Sequence, residues 1–203
     1  MKDLVITKDY LTPNEYSRPQ KPIREVKAIV MHWTANPGAS AKANRDFFER
    51  RKIGTMGYGS AHYIVDTDGT VIAAIPETEI AYHVGSSRPD PKSGEIYTDL
   101  ARKKFDHYAK HYKLTSPNYC TLGIELCPLD DDGNFTDATI VTAIKLCAAL
   151  CSRYNLTTDD VVTHNQVVGW KDCPRLWVRK PYLFDAFKES VREEIERRKN
   201  NAR

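Results

Sequence analysis

Ala28-Ile29-Val30-Met31-His32-Trp33 is a short, almost wholly apolar run that ends on an imidazole and an indole. A run of this length without alternation is the signature of a strand buried on both faces, which belongs inside a sheet covered by helices. The chain around it supports that reading. Residues 60–66 and 70–75 are apolar or alternating about Asp66-Thr67-Asp68-Gly69, a hairpin signal. Residues 121–127 (Thr-Leu-Gly-Ile-Glu-Leu-Cys) and Val161-Val162-Thr163 give two further strands. Helices fall between them. Ser40 to Arg51 forms one with Phe47 and Phe48 on its apolar side, and Asp137 can N-cap another running to about Tyr154. Pro181 can start a last, highly charged amphipathic helix. Residues 86–119 turn polar, carry a helix near Thr98–Tyr112, and read as an insertion over one edge of the core. The first 26 residues, with Pro13, Pro19 and Pro22, read as an extended arm. Strands interleaved with helices predict an α/β fold, a single domain over residues 1–203 with a central mixed sheet flanked by helices. No repeat and no linker to a second domain is visible.

The composition narrows the function classes. The 203 residues carry 41% hydrophobic and 28% charged side chains and a net charge of +3, ordinary values for a globular chain. No Lys/Arg block suggests a nucleic-acid partner, and no apolar run approaches the roughly 20 residues of a membrane helix. Met1 to Lys8 lacks the apolar core of a secretory signal, so synthesis in the cytoplasm is expected. Cys120, Cys127, Cys147, Cys151 and Cys173 form an odd set without paired spacing, which fits a reducing compartment. Cys147 and Cys151, four apart on the Asp137 helix, read as small buried apolar groups.

Chemistry concentrates in Thr163-His164-Asn165-Gln166-Val167-Val168-Gly169-Trp170-Lys171-Asp172-Cys173-Pro174, which offers an imidazole and a thiolate within one loop. With His32 they make three zinc ligands, and three protein ligands leave a fourth tetrahedral position for water, the pattern of a catalytic zinc. His32 ends one strand, His164 follows another, and Glu125 sits near the end of a third. Ligands of open α/β sheets bind outside these carboxyl ends. In residues 121–127, Leu122, Ile124 and Leu126 share one face, while Thr121, Gly123, Glu125 and Cys127 share the other. That second face, with a glycine and a threonine beside Glu125, reads as open to a substrate. A carboxylate inside an apolar strand is costly unless paired or functional. Singly, each residue has an ordinary alternative: a core imidazole, a loop histidine, an inert thiol, Glu125 paired with Lys171, and Lys171 itself a solvated surface lysine. Together they point to a zinc hydrolase with its site in a groove at the strand ends.

Five ordered stretches carry a resemblance: Ile29-Val30-Met31-His32-Trp33-Thr34-Ala35, Ser60-Ala61-His62-Tyr63-Ile64-Val65-Asp66, Tyr82-His83-Val84-Gly85, Leu122-Gly123-Ile124-Glu125-Leu126-Cys127 and His164 with Lys171-Asp172-Cys173-Pro174. Over roughly residues 27–178 the chain resembles the zinc N-acetylmuramoyl-L-alanine amidases of the amidase-2 family, relatives of peptidoglycan recognition proteins and common as phage endolysins. The resemblance implies that His32, His164 and Cys173 bind Zn2+, that Glu125 is the catalytic base, and that Lys171 stabilises the oxyanion. Some relatives carry a catalytic tyrosine where this chain has Ala61, which leaves the base role to Glu125. His62 and His83 match groove positions, with substrate contact or support of the site as alternatives. Trp33, Trp170, Trp177 and Tyr63 can stack on sugar or line the groove, with core packing expected for at least two. The implied partner is peptidoglycan, glycan plus stem peptide, cut between N-acetylmuramic acid and L-alanine by a monomer needing neither nucleic acid nor membrane. Lack of a signal and of an appended wall-binding domain suggests an endolysin released through a holin pore. Two other functions stay open: a non-catalytic peptidoglycan-binding module, whose known examples typically lack the ligand cysteine, and a zinc peptidase cutting within the stem peptide.

Overall fold

The computed structural model describes residues 4–112 and 116–201, without the side chains of residues 106–112. Its centre is a mixed six-stranded sheet of β1 (Ile6–Lys8), β2 (Ala28–Trp33), β3 (Tyr63–Val65), β4 (Val71–Ala73), β5 (Thr121–Leu126) and β6 (Val161–Thr163). The order is β1-β4-β3-β5-β2-β6, with β3 and β4 antiparallel and every other pairing parallel. The apolar run Ala28–Trp33 is β2, and all six of its residues are buried. It lies between β5 and β6, so its backbone is satisfied on both sides and its side chains on both faces must be covered.

Alternation sorts the side chains into two layers. Ile29 and Met31 join Leu122, Ile124 and Leu126 under α3 (Asp137–Tyr154) and α6 (Pro181–Asn201). Ala28 and Val30 face the other way, against Ala101 and Phe105 of α2 (Asp99–Tyr112) and Val167 and Val168. On that second face α1 (Ala41–Arg50) covers Ile64 and Ile72 through Ala41 and Phe48. Truncating a fully buried leucine such as Leu122 to alanine would cost about 2–5 kcal/mol. The same alternation turns His32 and Glu125, direct cross-strand partners, towards the second face.

Most expected elements are present. The hairpin turns at Asp66–Gly69, with Gly69 at φ +84°, and Ser40 caps α1 by accepting from the Ala43 N–H. Phe47 lies under the guanidinium of Arg51 at 4.9 Å rather than in the core. Cys147 is buried with its Sγ 3.6 Å from Met31 Sδ, and Cys151 is buried too.

Three readings need correction. The first 26 residues are more than an arm: Ile6–Lys8 pairs with β4, Leu4 and Ile6 pack on the core, and Leu11 is wholly buried. Leu4 and Ile6 point inward at this edge while Val5 points out, at 70% exposure. The cap of α3 is Thr136, whose Oγ1 accepts from the Thr139 N–H at 2.9 Å; Asp137 sits in the first turn, where the helix dipole favours a carboxylate. The His164–Cys173 stretch is half helix, since His164–Val168 forms α4. A further short helix, α5 (Arg175–Arg179), precedes α6. Among the described residues no helix is long and apolar enough to cross a membrane.

Candidate metal centre and its groove

Three segments meet at the carboxyl end of β2. β6 runs out at Thr163, whose Oγ1 accepts from the Gln166 N–H while Gln166 Oε1 accepts from the Thr163 N–H. This capping box starts α4 at once and makes His164 its first residue. The His164 ring meets His32 edge to face, with Nδ1 2.9 Å from His32 Nδ1. Cys173 is brought back by Asn165. Its N–H donates to the Cys173 carbonyl and its side-chain amide to those of Gly169 and Lys171. Cys173 Sγ then lies 3.8 Å from His32 Nδ1. His32, His164 and Cys173 are all buried, and their donor atoms lie within 4.8 Å of one another.

The donor set fits a zinc ion. Zn–N distances of about 2.0–2.1 Å place two ligand nitrogens roughly 3.3 Å apart around a tetrahedral ion, close to the spacing found. Burial, followed by the neighbouring imidazoles and Lys171, drives His32 well below the usual histidine range. Burial and then Lys171 take His164 to about 3. Both rings are therefore neutral near pH 7 and keep lone pairs for a cation. Burial pushes the Cys173 thiol up, with Glu125 adding to it, so metal binding here must release a proton.

Glu125 stands beside His32 on β5. It is partly buried, and its Oε2 is buried without a hydrogen-bond partner. Burial raises its carboxyl to about 8 against the opposing pull of Lys171. Lys171 is exposed and lines the same groove. The groove holds about 750 Å³ and reaches from the cluster past Trp33, Trp170, Tyr82 and Tyr58. Trp33 sits under the Arg175 guanidinium at 4.8 Å. Trp170 donates from Nε1 to Ser86 Oγ and lies under Arg88. The other two aromatics belong to the core: Trp177 packs with Phe135, Phe184 and Phe187, and the Tyr63 hydroxyl bonds Glu77.

The two further histidines differ. His62 has no exposure; its Nδ1 accepts from the Gly123 N–H at 2.9 Å and its Nε2 faces the Glu79 carbonyl at 2.9 Å. Both nitrogens are taken by backbone, and burial lowers the ring to about 4. His83 instead touches the cluster, its Nδ1 3.0 Å from His32 Nε2. Asn118 fixes its backbone by accepting from the N–H groups of His83 and Val84. The face of β5 read as open to substrate is therefore filled at Gly123, where a Cβ would meet His83 Cγ at 2.6 Å. A glycine inside a strand signals close approach of another group, and here that group is protein. Asn165 and Asn118 escaped the sequence reading because nothing but tertiary geometry marks them.

Comparison with known proteins follows the same lines. The Amidase_2 family, described as N-acetylmuramoyl-L-alanine amidase, matches residues 22–176. A Bacillus licheniformis protein named "Probable N-acetylmuramoyl-L-alanine amidase" is 35% identical over 92% of this chain and 47% of its own length. The N-acetylmuramoyl-L-alanine amidase BlyA of Bacillus subtilis (strain 168) is 32% identical over 94% of this chain and 48% of its own length. The chain thus spans about half the length of these relatives. A mutant endolysin from Bacillus subtilis shares the fold at TM-score 0.66 and 22% identity, covering 93% of this chain and 99% of that one. With the family model matching residues 22–176, and two curated relatives above 30% identity, the chain belongs to the Amidase_2 family of N-acetylmuramoyl-L-alanine amidases.

Proposed function

We propose that the chain is a zinc-dependent amidase catalytic domain that hydrolyses the bond between N-acetylmuramic acid and the L-alanine of the stem peptide in peptidoglycan. The observation that carries this is the buried His32–His164–Cys173 donor set beside a Glu125 carboxyl oxygen that no protein group satisfies. Family membership supports the bond and the substrate. His32, His164 and Cys173 hold the ion. Zinc, when bound, supplies a Lewis acid that polarises a carbonyl and brings the pKa of water towards about 7. Glu125 removes a proton from the attacking water and returns it to the departing amine of L-alanine. Lys171 places its ammonium where negative charge develops on the carbonyl oxygen, a contribution of roughly 3–4 kcal/mol for a well-placed donor. Trp170, half-buried in the groove wall, offers an aromatic surface to the glycan or the peptide, while Trp33, buried under Arg175, lines the groove floor by its edge. His62, with both nitrogens engaged, braces β5 and does not contact substrate.

The test is Glu125→Ala. It should retain zinc and lose nearly all wall-lytic activity, and a variant that lyses walls at the parent's rate removes Glu125 as the base. Mass spectrometry of the products separates bond types: lactyl-bearing glycan with intact stem peptides supports the amidase, while cut peptides still joined to glycan identify a peptidase. A binding-only role has no use for an ion or for an unsatisfied buried carboxyl, and it fails if metal removal stops product release and zinc restores it.

A further inference from the structure

We infer that His83 is a positioning residue which, anchored by Thr121, fixes the tautomer of His32 so that Nδ1 is the bare nitrogen turned to the cluster. The inference rests on the reading of His32, His164 and Cys173 as metal ligands, and follows from counting protons along one chain of contacts. Thr121 Oγ1 lies 2.8 Å from the Pro117 carbonyl, which can only accept, so the hydroxyl hydrogen goes there. Its oxygen is then an acceptor for His83 Nε2 at 3.1 Å, and the Thr121 carbonyl, 3.4 Å from the same nitrogen, is another. His83 therefore carries its proton on Nε2. A neutral imidazole protonated there has a bare Nδ1, and that atom lies 3.0 Å from His32 Nε2. His32 must donate across this contact, which leaves its Nδ1 lone pair facing His164 Nδ1 at 2.9 Å and Cys173 Sγ at 3.8 Å.

The site is built around this ring. Gly123 gives it room, since any Cβ there would collide with His83 Cγ at 2.6 Å. The Gly123 N–H is held in turn by His62 Nδ1 at 2.9 Å, so the strand cannot drift from under the ring. A partner that settles the tautomer and aim of a ligating histidine is worth about 10–100-fold in metal affinity.

Side-chain 15N–1H correlation spectra of the metal-free parent test the proton assignment without any substitution. His32 and His83 should each appear as the Nε2–H tautomer, and a His32 protonated on Nδ1 overturns the inference. Zinc affinity, measured by competition with a chromogenic chelator, tests the consequence. His83→Leu should bind zinc 10–100-fold more weakly, whereas His83→Asn, whose Oδ1 can still accept from His32, should recover most of the loss. Thr121→Val should fall between them. Equal losses in the Leu and Asn variants, or parent-like affinity in His83→Leu, overturn it. A parent that binds no zinc at all would instead remove the metal-site reading, so the two failures are distinguishable.

Discussion

Glu125 shows at the scale of one residue how a site departs from what stability alone would select. Its carboxyl titrates at about 8 in the fold, raised by burial from an ordinary 4.5. Between those values the folded chain holds more protons than the unfolded one, so stability falls as pH rises through that window. Glu125→Gln is neutral throughout. Metal-free Glu125→Gln should match the parent near pH 4.5 and exceed it at pH 9 by at least about 1 kcal/mol, since making a carboxyl a tenfold weaker acid costs its anion roughly 1.4 kcal/mol. Urea denaturation at the two pH values checks this, and a gap that does not grow with pH would show that the carboxylate is not burdened. Lys171 is the group that pulls Glu125 back down. Replacing it with methionine should lower kcat by roughly 100–1,000-fold, leave zinc content unchanged, and move the acid limb of the rate profile to higher pH. Steady-state rates across pH decide this; a loss confined to KM would make Lys171 a binding residue only.

At the scale of elements, α4 decides whether His164 faces His32. The helix is five residues long, too short to stand without its cap. Thr163→Ala removes the Oγ1 that accepts from the Gln166 N–H. It should cost about 1 kcal/mol of stability and weaken zinc binding in step, because the ligand rides on the first turn. Thermal denaturation and chelator competition on one preparation check both effects. The same helix marks the limit of what the sequence shows. β2 is legible as an unbroken apolar run, and β5 and α3 because their apolar patterns run long enough to establish a period. α4 spans less than two turns, too few to show a period, although Thr163 and Gln166 carry the spacing of a capping box. β1 hides in a proline-rich stretch that reads as a tail. The candidate donors are legible only as a set, because two imidazoles near strand ends and a thiol nine residues after the second have fewer ordinary uses together than any has alone. His62 and His83 look alike in sequence, each inside an apolar motif, and what separates them is which atoms occupy their ring nitrogens. One is closed by Gly123 and Glu79, the other opens onto His32.

For the whole molecule, the cluster ties together parts of the chain that are remote in sequence. His32 sits on the central strand, His164 lies 132 residues on at the start of α4, and Cys173 lies 141 residues from His32. An ion held by all three binds the folded chain and has no comparable site in the unfolded one, so its binding free energy adds to folding. At free zinc 100-fold above the dissociation constant the gain is about 2.7 kcal/mol. For a domain of this size each kcal/mol is worth roughly 2–4 °C, so chelation should lower Tm by about 5–11 °C. Each tenfold rise in free zinc above saturation should add about 1.4 kcal/mol, giving a Tm that climbs with zinc concentration rather than reaching a plateau. Cys173→Ser should abolish that climb. Its metal-free Tm should stay near that of metal-free parent, because the buried thiol is protonated without the ion and bonds weakly. Calorimetry of both proteins across a zinc series tests the account. A parent whose Tm ignores both chelator and zinc would mean that the three donors meet for packing alone, and that β2 needs no ion to hold α4 and the Cys173 turn against its end.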